Sequence, residues 1–167
     1  MSERGQRRRW ALFGAIAALV VAADQLSKAW VVQAFNGPTE ILGDLVRINI
    51  VRNDGGIFGL FGASATLLGL ASAIVIVIIL AYQAREGLRN HWLLSVALGL
   101  LLGGAVGNLV DRLRLGYVID FVDMGVGGLR WYTFNVADAA ISISLVVLIV
   151  LALFGDRLSR PELRSAA

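Results

Sequence analysis

Apolar residues fill four long stretches of the chain, and polar residues gather in the segments between them. The apolar stretches cover residues 10–32, 66–83, 92–112 and 135–154. Each is close to the roughly 20 residues that a helix needs to cross the hydrocarbon core of a bilayer. The pattern therefore predicts four transmembrane helices.

Two of the connecting segments instead alternate apolar and polar residues, as strands do. Leu45–Val51 is predicted to form a strand, and Tyr117–Asp123 with Leu129–Thr133 is predicted to form a hairpin about the glycines between them. The predicted fold is an all-α membrane protein with four transmembrane helices and a small exported β-rich segment. Residues 1–167 are expected to form a single domain.

Composition supports an integral membrane protein. The chain has 167 residues, of which 57% are hydrophobic and 16% are charged, and its mean hydropathy is +0.75. The net charge is +3, but the basic residues form short clusters beside apolar stretches, so no nucleic acid partner is expected. Cysteine is absent, which excludes disulfides and thiolate chemistry.

Clusters of arginine predict the orientation of the spans. They are Arg4, Arg7, Arg8 and Arg9 before the first span, Arg85 and Arg89 after the second, and Arg157, Arg160 and Arg164 after the fourth. Because basic residues are retained in the cytoplasm, both termini are predicted to be cytoplasmic and the acid-rich segments exported. A cleaved signal peptide is an alternative for the first span, since Ala22 and Ala23 imitate a cleavage site. The apolar pattern continues past Asp24, which favours the span.

Carboxylate and amide side chains gather at the end of the third span and the start of the fourth. Asn108 with Asp111, and Asn135 with Asp138, are three residues apart and so share a helix face. Asp120 lies between these units, in the strand-like stretch. Carboxylates are costly to keep near lipid, so each is a candidate functional group. The alternative for Asn135-Val-Ala-Asp138 is a helix N-cap with an acid in the first turn.

Asp24 and Lys28 form a further ionisable pair near the far end of the first span. They are four residues apart on one helical face, and Asp24 lies roughly 21 Å from Trp10 at helical rise. One interpretation is a lysine that snorkels to the surface beside an intrahelical partner. The other is a pair that also braces the acid cluster.

Small residues recur at four-residue spacing in the third span, at Gly99, Gly103 and Gly107. Such a stripe lets a neighbouring helix approach closely. Its predicted role is packing.

The inventory of side chains restricts the possible chemistry. His91 is the only histidine and falls in a cytoplasmic connection, away from the acids, so a serine-histidine triad is excluded. Ser27 and Lys28 are adjacent on a helix and cannot face each other, although a dyad with a distant serine stays open. A pair of aspartates remains, in which one carboxyl stays protonated while the other activates a water molecule, as in aspartic proteases.

Three other interpretations stay open at this point. A metal site of hard oxygen ligands would use the carboxylates Asp111, Asp120, Asp123 and Asp138, although no spacing matches a known loop. A proton-coupled transporter would also carry charges in its spans, but the second and fourth spans lack charges at their midplane. A structural assembly factor would need none of these acids.

Five short blocks give the chain a resemblance to the lipoprotein signal peptidases, or signal peptidase II. They are Asp24-Gln25-Leu26-Ser27-Lys28; Asn53-x-Gly55-x-x-Phe58; Gly103-Gly104-Ala105-x-Gly107-Asn108-x-x-Asp111-Arg112; Gly116-x-Val118-x-Asp120-Phe121-x-Asp123; and Phe134-Asn135-x-Ala137-Asp138. Gly56 and Ile57 stand where that family usually has two alanines. The resemblance covers nearly the whole chain.

That resemblance implies an aspartic endopeptidase of the bacterial plasma membrane that removes signal peptides from prolipoproteins before their diacylglyceryl-modified cysteine. Asp120 and Asp138 are the implied catalytic pair. The implied supporting residues are Asp24, Lys28, Asn53, Asn108, Asp111, Arg112 and Asn135. The expected partners are the prolipoprotein and membrane lipid, with the enzyme a monomer that needs no metal or other cofactor.

The helix dipole favours negative charge on Asp138, which falls in the first turn of the fourth span. Asp120, on a strand, would have no such help. If the pair shares one proton, Asp138 is expected to hold the charge and Asp120 the proton.

Overall fold

The computed structural model describes residues 3–54, 65–86 and 92–158. The elements in chain order are α1 Glu3–Ala34, β1 Thr39–Leu42, β2 Val46–Asn53, α2 Ala65–Glu86, α3 Trp92–Leu115, β3 Val118–Val126, β4 Leu129–Arg130 and α4 Val136–Leu158. Several residues discussed above lie outside the described ranges, namely Gly55, Gly56, Ile57, Phe58, Arg89, His91, Arg160 and Arg164.

Four of the described helices are long and apolar enough to cross a membrane. Many large apolar side chains on them are exposed, such as Leu19, Ile74 and Leu153, as expected where lipid replaces water. The predicted fold class, four spanning helices with a small β-rich segment, is confirmed. Helix α1 begins ahead of the predicted span because the run before residue 10 is rich in arginine, a good helix former, and contains no proline.

Helix α3 occupies the centre of the bundle and packs against each of the other three helices. Buried side chains from α1, α2 and α3 form one apolar cluster: Phe13, Ile79, Leu94 and Leu98. Added Cβ atoms would meet α1 at 2.8 Å from the Phe13 carbonyl for Gly99, and at 2.6 Å from the Val20 Cβ for Gly103. Helices α1 and α3 therefore touch through these glycines, as the stripe predicted.

The strands form one antiparallel sheet in the order β1-β2-β3-β4. The predicted strand at Leu45–Val51 corresponds to β2, and the predicted hairpin corresponds to β3 and β4. Gly127 has a φ of +56° in the turn between them, a conformation that favours glycine. Strand β4 ends at Arg130, before the predicted Thr133, so the chain after it is free to turn toward α4.

A short bridge attaches the start of α4 to the sheet. The backbone N–H groups of Phe121 and Val122 donate to the Phe134 carbonyl, and the Phe134 N–H donates back to Val122. Phe134 precedes the α4 N-cap and Asp120 precedes Phe121 in β3. The bridge therefore brings the acid of the sheet beside the start of the fourth span.

Candidate active site

The candidate site lies where α1 and α3 end and α4 begins. Asn135 caps α4: its Oδ1 accepts from the Asp138 N–H at 2.9 Å, and Asp138 Oδ2 accepts from the Asn135 N–H at 3.3 Å. This reciprocal pair is a capping box. The N-cap interpretation of Asn135-x-x-Asp138 is thus correct, and it leaves the Asn135 side-chain amide nitrogen and Asp138 Oδ1 available for other partners.

Two asparagines connect the two carboxylates of the predicted pair. Asn135 Nδ2 donates to Asp120 Oδ1 at 2.7 Å and to Asn108 Oδ1 at 3.1 Å. Asn108 Nδ2 in turn donates to Asp138 Oδ1 at 2.8 Å. Asp120 and Asp138 therefore lie at the two ends of one amide bridge, although they belong to a strand and a helix.

Asp120 is 1% exposed, and its second oxygen accepts from Asn53 Nδ2 at 2.8 Å. The register of β2 and β3 explains this contact: Asn53 pairs with Val118, and residues diagonal to a pair share its face. Burial raises the pKa of Asp120 to about 6, and the charge of Asp138 adds to the rise, while the bonds from Asn53 and Asn135 oppose it. Asp120 lies on a strand, as predicted, and its donors are side chains of other segments, Asn53 and Asn135.

Lys28 is buried between two carboxylates. Its Nζ lies 2.8 Å from Asp24 Oδ2, 2.8 Å from Asp111 Oδ2 and 3.2 Å from Asn108 Oδ1. The snorkelling interpretation is therefore wrong, because this ammonium group points into the protein. Asp24 Oδ1 also accepts from the Ala137 N–H at 3.0 Å, so the pair braces the first turn of α4.

Both carboxylate oxygens of Asp111 bind groups of α1 and of the start of β3. Oδ1 accepts from Gln25 Nε2 at 2.9 Å, and Oδ2 accepts from Lys28 and from the Ile119 N–H at 3.1 Å. Asp111 thus ties α1 to the start of β3. Among the described residues, its oxygens form no hydrogen bond with Asn108 or Asn135.

A cavity of about 630 Å³ opens beside Asp138. Its polar end is lined by Asn53, Asn108, Arg112, Tyr132 and Asp138, and its apolar end by residues of α4 such as Ile141 and Leu145. Arg112 Nη1 donates to the Asn108 carbonyl at 3.5 Å. A polar end beside an apolar wall suits a ligand with a peptide group and a hydrocarbon portion.

The four-carboxylate metal site does not assemble. Asp120 and Asp123 are three residues apart in β3 and so lie on opposite faces of the strand. Asp123 Oδ1 accepts from Arg130 Nε at 2.8 Å, on the far side from the cavity. Within the described residues, no three His, Cys, Asp or Glu side chains are grouped so as to hold a metal ion.

Two polar residues of the site carry no sequence prediction. Tyr132 hydrogen-bonds with Asn53 and Asp120, and Gln25 Nε2 donates to Asp111, to the Gly107 carbonyl and to Asp24. Gln25 stands inside the block that contains Asp24 and Lys28, which was a usable signal. Tyr132 lies just after the two-residue strand β4 and belongs to no such block, so the sequence did not mark it as a residue of the site.

Comparison with known proteins gives the family. The profile of a family described as Signal peptidase (SPase) II matches residues 16–154. The chain belongs to the signal peptidase II family. A lipoprotein signal peptidase of Moorella thermoacetica is 39% identical over 136 residues, covering 80% of this chain and 87% of the relative. That of Oleidesulfovibrio alaskensis is 39% identical over 144 residues, covering 82% and 91%.

Solved structures agree with this membership. A bacterial membrane enzyme solved at 2.3 Å resolution has a TM-score of 0.79 and 26% identity, with 89% of this chain and 92% of the other covered. A second, solved at 1.9 Å resolution, has a TM-score of 0.75 and 28% identity, with 83% and 90% covered. The chain is therefore a multi-pass membrane protein of a protease family, and the transporter and assembly-factor interpretations are wrong.

Proposed function

We propose that this family member removes signal peptides from bacterial prolipoproteins by an aspartic protease mechanism, cutting before the diacylglyceryl-modified cysteine. Asp120 and Asp138 are the proposed catalytic pair. The observation that carries the proposal is the Asn108–Asn135 amide bridge, which joins these two carboxylates. Asp138 lines the cavity, and Asp120 lies buried behind it. Family membership supports the substrate class.

The two acids occupy different surroundings, as the two roles require. Asp120 is nearly inaccessible and has its pKa raised to about 6, chiefly by burial. Asp138 lies in the first turn of α4, where the helix dipole favours negative charge. In the resting pair, Asp120 holds the shared proton and Asp138 is ionised. The pair titrates as a unit.

The proposed reaction uses one water molecule and returns the pair to its starting protonation. Asp138 takes a proton from the water as the water oxygen bonds to the scissile carbonyl carbon, and the Asp120 proton moves to the carbonyl oxygen. The carbon–nitrogen bond of the tetrahedral intermediate then breaks. Asp138 gives its proton to the leaving amine, and the carboxylic acid product forms as the hydroxyl proton returns to Asp120.

The remaining polar residues hold the pair in place. Asn53, Asn108 and Asn135 donate to the two carboxylates. Lys28, with Asp24 and Asp111, fixes the position of Asn108 and of the α4 N-terminus. Arg112 lines the cavity with Asp138, and its positive charge interacts with the carboxylates of Asp138 and Asp120, which favours the single negative charge that the pair carries.

The site is proposed to face the exported surface of the plasma membrane, with both termini cytoplasmic. The arginine-rich start of α1 and Arg85 of α2 lie at the opposite end of the bundle from Asp138, which supports this orientation. A lipid-modified cysteine anchored in the bilayer would reach Asp138 at this surface. The enzyme is proposed to act as a monomer without a metal or other cofactor.

Replacement of each proposed catalytic acid tests the mechanism. Asp120→Asn and Asp138→Asn should each lower the rate of cleavage of a diacylglyceryl-modified precursor by at least ~10², because each removes a general acid or base. The measurement is release of the signal peptide by purified enzyme in lipid. Asp123→Asn is the matched control, since Asp123 lies on the same strand but faces Arg130.

The control should cleave at a rate close to that of the unchanged enzyme. Asp120→Asn or Asp138→Asn protein that is folded and retains full activity would contradict the assignment. Equal loss in all three variants would point to instability of the sheet instead.

A further inference from the structure

Tyr132 lies in the irregular segment between β4 and α4, outside the five blocks that carry the family resemblance. Its phenol oxygen accepts a hydrogen bond from Asn53 Nδ2. The same asparagine nitrogen donates to Asp120 Oδ2 at 2.8 Å. An amide has two N–H groups, so both bonds can form together, and they fix the orientation of the Asn53 amide.

The phenol also faces Asp120 directly. Tyr132 Oη lies 3.5 Å from Asp120 Oδ2, long for a hydrogen bond between oxygens, so the path through Asn53 is the stronger of the two. The phenol keeps its proton at any working pH, because burial and the nearby charges of Asp120 and Asp138 raise the pKa of Tyr132 to about 12. Toward the ionised form of Asp120, the phenol can therefore act only as a donor.

We propose that Tyr132 is a positioning residue for Asp120, in which the phenol orients the Asn53 amide and directs its own hydrogen at Asp120 Oδ2. This inference rests on the proposed catalytic role of Asp120. Tyr132 and Asn53 together supply donors to one oxygen, while Asn135 supplies a donor to the other. The carboxyl group is thereby held in one orientation, and its ionised form is stabilised against burial.

Other charged groups act on Asp120 from every neighbouring helix, and they set the background for any change at Tyr132. They are Lys28 of α1, Arg112 of α3 and Asp138 of α4. Tyr132→Phe alters none of these charged groups. It removes only the hydrogen-bond donor that Tyr132 directs at Asp120. The consequence has a definite sign: without its phenol donor, Asp120 should hold its proton to a higher pH.

Tyr132→Phe tests this inference, because it keeps the ring in the cavity wall and removes only the oxygen. We expect kcat to fall by about 3- to 10-fold, the rate equivalent of one hydrogen bond, with little change in KM. The alkaline limb of the pH profile of kcat should move up by roughly half a unit, since Asp120 is the group that must stay protonated. A role in packing alone would lower the rate equally at every pH.

Tyr117→Phe is the matched control. Tyr117 belongs to the same exported segment, but its ring lies under Arg52, with 5.1 Å from the guanidinium carbon to the ring centroid. Its pH profile should coincide with that of the unchanged enzyme. Tyr132→Ala, which also removes the ring from the cavity wall, should raise KM as well as lower kcat.

Two results would separate this inference from the proposed function. If Asp120→Asn is inactive but the Tyr132→Phe profile coincides with that of the unchanged enzyme, the inference about Tyr132 is wrong and the aspartate mechanism stands. If folded Asp120→Asn is fully active, the proposed function itself fails. A downward shift of the alkaline limb in Tyr132→Phe would also overturn the inference, because a lost donor cannot lower the pKa of a carboxyl group.

Discussion

Asp120 combines a proposed chemical role with an energetic cost to the fold. An exposed aspartate ionises freely in water, whereas this one is buried in β3 and has its pKa raised from 3.8 to about 6. The native protein therefore binds this proton more tightly than the unfolded chain does. Ionisation of Asp120 opposes folding, so its contribution to stability should decline as the pH rises from about 4 to about 6 and then level off.

Asp120→Asn removes this titration and so isolates its contribution. The free energy of unfolding of the variant, relative to that of the unchanged protein, should increase by about 2 kcal/mol between about pH 4 and about pH 7. Denaturant unfolding in a fixed detergent, followed by tryptophan fluorescence, would measure the difference at each pH. The asparagine amide forms different hydrogen bonds from the carboxyl group, which changes the free energy of unfolding by the same amount at every pH. The test is therefore how the difference between the two proteins changes with pH. Parallel stability curves would contradict the burial cost assigned to Asp120.

At the scale of elements, the site depends on how closely three helices approach one another. Gly107 of α3 faces α1 and α4 at once: an added Cβ would lie 2.8 Å from Asp24 Oδ2 and 3.4 Å from the Ala137 Cβ. The absence of a side chain leaves room for the Asp24 carboxylate, which holds Lys28 and the first turn of α4. Gly107 thus has a role beyond helix packing, because it admits a charged group of the site.

Gly107→Ala should accordingly lower the free energy of unfolding by about 1–3 kcal/mol through overpacking, and activity should fall because the start of α4 shifts. Thermal unfolding and signal-peptide release would be measured on the same preparation. Gly14→Ala is the control: Gly14 also lies within a helix, but nothing is within 4 Å of its added Cβ. That change should be neutral or stabilising. Equal destabilisation by both substitutions would show that loss of glycine flexibility, rather than the contact with Asp24, is responsible.

For the whole molecule, the orientation in the membrane decides whether the site can meet its substrate. Helix α1 spans 32 residues, about 48 Å at helical rise, which exceeds the roughly 30 Å of hydrocarbon. Its arginine-bearing start therefore extends out of the bilayer at the end of the bundle opposite Asp138. Cytoplasmic retention of this end would place the cavity at the exported surface.

A reporter fused after Ala167 tests this orientation. A reporter enzyme that works only in the cytoplasm should be active in this fusion. A reporter enzyme that works only outside the cell should show no activity. Reporters inserted after Asp44, in the turn between β1 and β2, should give the reverse result. An exported carboxyl terminus would contradict the predicted topology and, with it, the surface at which the substrate is cut.

The sequence by itself determined the elements and the membership of the acid cluster. The long apolar runs and the alternation of apolar and polar residues can each be seen within a single segment of the sequence. The four helices and the strands β2 and β3 could therefore be predicted without knowledge of any tertiary contact. The family blocks likewise named Asp120 and Asp138. Local sequence could not distinguish their surroundings, because burial and hydrogen-bond partners come from residues far away along the chain.

Only the tertiary structure decided what each polar residue does. The pairing of Asn53 with Val118 across β2 and β3 gave Asp120 a donor that its own strand could not supply. The approach of α1 to α3 buried Lys28 instead of letting it reach the surface. The short β4 strand turned Tyr132 toward the cavity. Such contacts join positions that are distant in sequence, and their geometry is fixed by packing rather than by the periodicity of any one segment.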